Sequence, residues 1–314
     1  MWKSPNPTAY NRVALLQWAI DVYGAAHAKI NESRERRNLK PQPYPASFGV
    51  KVSRDFEKLG GALVGVYNQT AGLSCVAYTK ACLTDCYAGA DWFINGTWKS
   101  DASRFIFPSG AARHAQNLIA WLEDPEKWET DLCRQLCVLQ LEGIKYFRIN
   151  GAGDLLPGQA EAWLRLVKRH PRLFFWAYTR TWADPDMMPG LLALKAEPNF
   201  SLLASVDRVN VNLWIDRGMP LEVATVLVNE DKDYQYIMGK LHKAGLTNPR
   251  QAILFQDHKL RKPKLSRNFF TINGTRFTTC PKDRAANKSA RVPVTCITCR
   301  LCIDRAPRPE RIRV

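Results

Sequence analysis

Apolar and polar positions follow two periods along this chain, and the changes between them mark out its elements. From Leu15 to Ile30 the apolar residues fall at helical spacing, and a polar, charged stretch runs from Asn31 to Lys40. Pro41, Pro43 and Pro45 then predict a loop. Leu63-Val64-Gly65-Val66-Tyr67 predicts a first buried strand, and the loop after it carries Cys75, Cys82 and Cys86. Ala111 to Leu122 and Glu126 to Leu141 predict two helices, with Pro125 in the break. Tyr146 to Asn150 reads as a strand and Gly151 to Asp154 as a tight turn. The next helix spans Gly158 to Arg169, with Ala160, Trp163, Leu164 and Val167 at the i, i+3, i+4, i+7 spacing of one buried face. Leu173 to Tyr178 is a nearly continuous apolar run, which suits a strand covered on both faces. A short helix around Gly190 to Lys195 precedes a strand from Phe200 to Ser205, and a further strand is expected within Leu221 to Val228.

Strands alternating with helices make a βαβ series, so the fold class is α/β, with a parallel sheet or partial (β/α) barrel. Three segments are expected: an N-terminal helical and loop extension at 1–60, the partial barrel with its cysteine loop at 61–245, and a basic C-terminal, cysteine-rich extension at 246–314. In parallel α/β folds ligands bind beyond the C-terminal strand ends. Those ends read Asn150-Gly151-Ala152-Gly153-Asp154, Tyr178-Thr179-Arg180 and Ser205-Val206-Asp207, all small, polar or charged. Arg180 could pair a carboxylate in bidentate fashion, or it is a surface arginine at a strand end. Asp154 either lines the pocket or caps the following helix.

Composition narrows the class. Of 314 residues, 46% are hydrophobic and 24% charged, a globular balance that argues against a disordered chain. No stretch approaches the ~20 apolar residues that a membrane crossing needs, and Met1 to Pro7 lacks the apolar run of a signal peptide. A cytoplasmic protein without a membrane partner is expected. In a reducing compartment nine cysteines favour metal binding or catalysis over disulfides. The net charge of +16 is uneven: residues 250–314 hold 16 Lys/Arg against 4 Asp/Glu. That surplus predicts a polyanionic partner such as nucleic acid, with a solvated surface as the plainer alternative.

The cysteines fall in two groups. Cys296-x2-Cys299-x2-Cys302, with Cys280-Pro281 upstream, has the spacing of a four-thiolate [4Fe–4S] site. A zinc ribbon would instead use paired CxxC knuckles, and remains the alternative. Cys75-x6-Cys82-x3-Cys86 offers three thiolates and no local fourth. A cluster so held keeps one iron open, by analogy with catalytic zinc sites, unless one of the three is a buried core cysteine. Cys133 and Cys137 lie one helical turn apart, so two ligands on one face are possible, but the surrounding Leu132, Leu136 and Leu141 favour packing as the expected role. His114, His170, His242 and His258 show no ligand spacing to one another.

Cys82-Leu-Thr-Asp-Cys86-Tyr-Ala-Gly89 resembles the cysteine loop of the radical S-adenosylmethionine superfamily, with Gly89 where that family has its third cysteine and Cys75 as the substitute. Arg148-Ile-Asn-Gly-Ala-Gly-Asp154 is similar to its methionine-binding turn. The resemblance implies a partial barrel, two [4Fe–4S] clusters, bound S-adenosylmethionine and an electron donor. It implies that Cys75, Cys82 and Cys86 hold the open cluster and that Cys280, Cys296, Cys299 and Cys302 hold the auxiliary one. Gly151, Gly153, Asp154, Thr179 and Ser205 would bind the cofactor, and Asp154, Arg180 and Asp207 would act in catalysis. A closer likeness, through the Cys-Tyr-Ala loop, the Gly-Asp turn, the Ala-Tyr-Thr-Arg strand end and the closing cysteines, is to the phage and plasmid gene product 88 family. The expectation is thus an iron–sulfur enzyme whose substrate is nucleic acid or associated with it. The alternative is a nucleic-acid-binding protein with structural iron–sulfur or zinc sites.

Overall fold

The computed structural model describes residues 11–54, 64–75, 77–79, 82, 108–218 and 231–245, together with short strands at 93–94, 97–98, 224–228, 252–256, 269–272 and 275–279. The chain opens with helix α1 (Arg12–Glu35). Asn11 caps it, its Oδ1 accepting from the Ala14 amide at 3.0 Å. The helix runs one turn past the expected end at Ile30. Lys29 pairs with Glu32 at 2.8 Å, and Asn31 bonds both ways to the backbone of Gln42. Those polar contacts carry a turn that has no apolar face.

Strand β1 (Ser53–Arg54) is antiparallel to β2 (Val64–Tyr67). A separate two-stranded ribbon pairs β3 (Phe93–Ile94) with β4 (Thr97–Trp98). Two helices follow, α2 (Pro108–Glu123) and α3 (Pro125–Leu141). The first packs along α1. Asp124 caps α3 and Pro125 is its first residue rather than a break, because an amide there would have no partner within the helix anyway. Then come β5 (Tyr146–Ile149), α4 (Gln159–Arg169), β6 (Phe174–Thr179), α5 (Met188–Lys195) and β7 (Phe200–Val206). A short helix α6 (Val211–Asp216), β8 (Ala224–Val228), α7 (Asp231–Lys243) and β9 (Ala252–Gln256) continue the alternation. An antiparallel pair, β10 (Phe269–Ile272) and β11 (Thr275–Thr279), ends the described sheet.

The strands form one nine-stranded sheet in the order β1-β2-β5-β6-β7-β8-β9-β11-β10, parallel from β2 to β11. This is the expected α/β class with a parallel sheet. The sheet continues past residue 245, through Ala252–Gln256. From β2 to β9 spatial order follows chain order, so every crossover steps in the same direction. Right-handed crossovers then place the helices on one face. The burial agrees: Phe147, Ile149, Phe175, Ala177, Leu202 and Ala204 join the helices in the main core. The opposite face carries a smaller cluster of Val64, Val66 and Trp176, flanked by Tyr146, Phe174 and Tyr178. Arg148, on that face, lies 5.2 Å over the Tyr178 ring.

The centre of the main core is aromatic. Trp128 and Trp163 meet edge to face at 5.4 Å, and Tyr67 packs against both. The Trp128 indole donates to the Tyr67 hydroxyl at 2.8 Å, and burial raises the Tyr67 pKa against that bond. Asn117, fully buried, fixes α2 to two loops. Its Oδ1 accepts from Lys51 at 2.6 Å, and its Nδ2 donates to the carbonyls of Lys51 and Asn68, both at 2.8 Å.

Burial, and then Arg113, pushes the His114 imidazole of α2 down to about 4. Its folded pKa lies below the ordinary 6.5, so above pH 6.5 the ring is neutral in both states and costs nothing. Between about pH 6.5 and 4 the unfolded chain takes up the proton first, and stability falls. Urea midpoints measured across that window should drop further for the native chain than for His114→Gln. Parallel pH profiles would show that His114 stays protonatable in the fold. Among the described residues, no helix is long and apolar enough to cross a membrane.

Candidate functional site

The polar residues beyond β2, β5, β6 and β7 meet in one buried network. The first contacts zip the loop after β2 to the turn after β5. The Gln69 amide donates to the Ala152 carbonyl at 3.0 Å, Gly151 donates to Tyr67 at 3.3 Å, and Ala152 donates to Asn68 Oδ1 at 2.8 Å. A side-chain pair reinforces them: Gln69 and Gln159 exchange amide bonds at 2.9 and 3.1 Å, both fully buried. The approach is close enough to demand glycine. A Cβ on Gly151 would sit 2.6 Å from Asn68 Oδ1, and Gly153 has a φ of +82° with Ser74 pressed against it.

Asp154 ends that turn, buried. Its Oδ1 accepts from Thr179 Oγ1 at 2.6 Å and from the Leu155 amide at 2.8 Å, while Oδ2 accepts from the Arg180 amide at 2.7 Å. Burial raises its pKa, and the bonds from Thr179, Arg180 and Leu155 oppose the rise. Both oxygens are therefore spent on tying β5 to β6. Asp154 does not cap the next helix: α4 starts from Gly158, which takes the left-handed conformation at φ 80°.

Arg180 is not a surface residue. It is buried, and its Nη1 meets Asp207 Oδ2 at 2.7 Å, linking the ends of β6 and β7. Burial opposes the charge on Arg180, but Cys82, Asp207 and Asp154 outweigh it and its pKa is raised. The attraction between guanidinium and Cys82 is mutual, so Arg180 favours the Cys82 thiolate. Asp207 Oδ1 accepts from the amides of Val209 and Asn210 at 2.7 and 3.2 Å, and Oδ2 accepts from the Thr79 hydroxyl. Thr79 Oγ1 in turn accepts from the Cys82 amide at 3.1 Å. The chain of contacts thus runs from a buried ion pair to a cysteine.

Cys75 follows Ser74 at the other end of the same loop, and its Sγ accepts from the Gly72 amide at 3.3 Å. Ser74 Oγ donates to Thr70 at 3.0 Å and accepts from the Asp154 amide at 3.2 Å. The structure therefore anchors the segment bearing Cys75 to the turn after β5 and the segment bearing Cys82 to the end of β7, with β6 between them. Cys86, Cys280, Cys296, Cys299 and Cys302 lie outside the described residues. Of the other expected residues, Gly151 and Gly153 serve loop packing, Thr179 serves Asp154, and Ser205 accepts through its carbonyl from the Trp182 indole at 3.1 Å. Gln69, Ser74, Thr79 and Gln159 were not picked out by the sequence patterns. The available signal was the polar run Asn68-Gln69-Thr70 directly after an apolar strand.

Two buried polar atoms at this rim, Thr70 Oγ1 and Asn150 Nδ2, have no partner within the described residues. Orphaned polar atoms beneath a cysteine loop, with a cation beside one thiol, suit a polar group held above the strand ends. The arrangement can orient the cysteine segments, set a cation near one thiol and keep the strand ends rigid.

Neither the curated proteins nor the solved structures compared with this chain gave a match. A family model described as Gene product 88 matches residues 34–305, most of the chain, and the chain belongs to the gene product 88 family.

Proposed function

We propose that this protein is a cytoplasmic iron–sulfur enzyme related in design to radical S-adenosylmethionine proteins, acting on nucleic acid or a nucleic-acid-associated substrate. One observation carries the reading: the loop bearing Cys75 and Cys82 is bonded through Thr79 to Asp207, whose buried ion pair with Arg180 joins the C-terminal ends of consecutive parallel strands. The uniform winding of β2 to β9 supports a partial barrel, whose mouth would lie at those ends.

The residues fit a cluster by donor chemistry: Cys75, Cys82 and Cys86 would hold it, and Cys280, Cys296, Cys299 and Cys302 a second one. Such a cluster supplies one electron for reductive cleavage of bound S-adenosylmethionine. The protein's own part is positional. Arg180 favours thiolate at Cys82, Thr79 and Asp207 set the loop's height above β7, and Asp154 locks β5 to β6. Asp154, Arg180 and Asp207 are therefore positioning residues. The basic 250–314 segment supports a polyanionic substrate, with binding that weakens as salt rises.

The test is anaerobic reconstitution with iron and sulfide. About eight irons per chain are expected from two cubes. Addition of S-adenosylmethionine and a reductant should release 5′-deoxyadenosine, and Cys82→Ala should abolish it. Stoichiometric zinc without iron would overturn the reading. Salt-sensitive nucleic-acid binding without cleavage would favour a binding module instead.

A further inference from the structure

The second group of thiols, on α3, lies apart from the strand-end site. The buried side of that helix is formed by Trp128, Leu132, Leu136 and Leu139. Cys133 and Cys137 occupy the neighbouring stripe, the first partly buried and the second exposed. Packing accounts for only one of them: Cys133 lies against the main core, as expected, while Cys137 is exposed and Leu141, expected to share their core, is 88% exposed. Beside that stripe sits His170, buried, which follows α4 and precedes β6. It is at the opposite end of β6 from Thr179 and Arg180.

Cys133 Sγ lies 3.5 Å from His170 Nε2, and the ligand atoms of Cys133, Cys137 and His170 all fall within 4.8 Å of one another. A tetrahedral zinc ion with Zn–S of about 2.3 Å and Zn–N of about 2.0–2.1 Å sets its sulfur and nitrogen ligands roughly 3.5 Å apart. The Cys133–His170 edge already has that length. Cys137 stands one helical turn away, with an exposed side chain free to turn inward about χ1. The other nitrogen of the ring is committed: His170 Nδ1 meets Gln140 Oε1 at 2.7 Å. A carbonyl oxygen only accepts, so Nδ1 carries the proton and Nε2 presents its lone pair to the cysteines. Metal-bound histidines are oriented by this kind of outer contact.

We propose that Cys133, Cys137 and His170 form a zinc site, with Gln140 as the positioning residue and the fourth coordination place left to water. Two thiolates and a neutral imidazole suit a borderline-soft divalent ion and cancel its charge. The competing use of the same atoms is a nucleophilic cysteine activated by histidine, which needs a thiolate–imidazolium pair. The geometry favours the metal: with its proton on Nδ1, held by Gln140, the ring offers Nε2 to the cysteine pair as a zinc ligand does.

The experiment is zinc titration of the full chain under a thiol reductant, against a chromogenic chelator, with total metal counted at the end. Because the strand-end and C-terminal cysteines also offer thiolates, the readout is the difference between variants. Cys137→Ala, whose exposed side chain leaves packing intact, should lose about one zinc per chain or bind it at least about tenfold more weakly. Gln140→Leu should retain the site with about 10- to 100-fold lower affinity. Cobalt substitution should give sulfur-to-metal charge-transfer absorption that falls in Cys137→Ala. An unchanged zinc count and affinity in a folded Cys137→Ala protein would overturn the proposal. So would a native chain whose only bound zinc disappears in Cys299→Ala.

Discussion

Asp207→Ala is expected to destabilise the protein by about 3–5 kcal/mol, the cost of stranding a buried charge. Arg180 and Asp207 are both buried, and their 2.7 Å contact joins β6 to β7. Removing the carboxylate leaves a guanidinium with no counter-ion at that position, and it also strands the Thr79 hydroxyl and the amides of Val209 and Asn210. Asp207→Asn keeps an acceptor and loses only the charge, so it should fall between the two. The decisive comparison is the double replacement Arg180→Met with Asp207→Leu. An apolar pair of similar volume should recover the part of the loss that comes from the uncompensated charge, leaving the cost of the stranded Thr79 hydroxyl and the Val209 and Asn210 amides. Urea midpoints of the four proteins measure this. A loss below about 1 kcal/mol in Asp207→Ala would mean a pair that water screens like a surface salt bridge. The double replacement should not restore iron content, because Thr79 would no longer be fixed and the Cys82 thiolate would lose its cation.

The central strands were readable because burial on both faces leaves a continuous apolar run, as in Phe174–Thr179 and Phe200–Val206. The polar strand ends were readable for the converse reason: Asp154, Arg180 and Asp207 stand where such runs stop. Their roles were not readable. Whether a carboxylate faces a ligand or its own fold depends on distant partners, and here Asp154 turns one oxygen to Thr179 and the other to the Arg180 amide, 25 and 26 residues on. The short helix Val211–Asp216 escaped notice because six residues hold too few turns for a periodic signal.

The α3 cysteines show a different limit. Their spacing was visible, but the third ligand, His170, belongs to the end of another helix and reaches them only through the packing of α4 beside α3. Helical spacing reports neighbours on one element and is silent about the next. Leu141 was counted as core from its apolar character alone. It lies in the last turn of α3, where no element among the described residues covers it.

Gly153→Ala should cost about 2–5 kcal/mol, and Gly143→Ala serves as its control. Both glycines have left-handed backbones, with φ of +82° and +83°. A methyl group in that conformation costs about 1–2 kcal/mol whatever surrounds it. At Gly143 nothing among the described residues lies within 4 Å of the new Cβ, so that backbone term is the expected effect. At Gly153 the Cβ would collide with Ser74 Oγ and lie 3.0 Å from the Gln69 carbonyl oxygen. Neither neighbour can yield cheaply. The Gln69 oxygen is backbone, and Ser74 Oγ is held between the Thr70 carbonyl and the Asp154 amide. Relief therefore requires the foot of the cysteine loop to lift away from the turn after β5, adding an overpacking cost of about 1–3 kcal/mol. The same displacement moves Cys75, which follows Ser74 directly. Iron retention should then fall in Gly153→Ala and stay normal in Gly143→Ala, although both carry the same backbone strain. Equal losses of stability in the two variants would show that the cysteine loop and the Gly-Asp turn do not press on one another, and the anchoring of Cys75 would have to come from elsewhere.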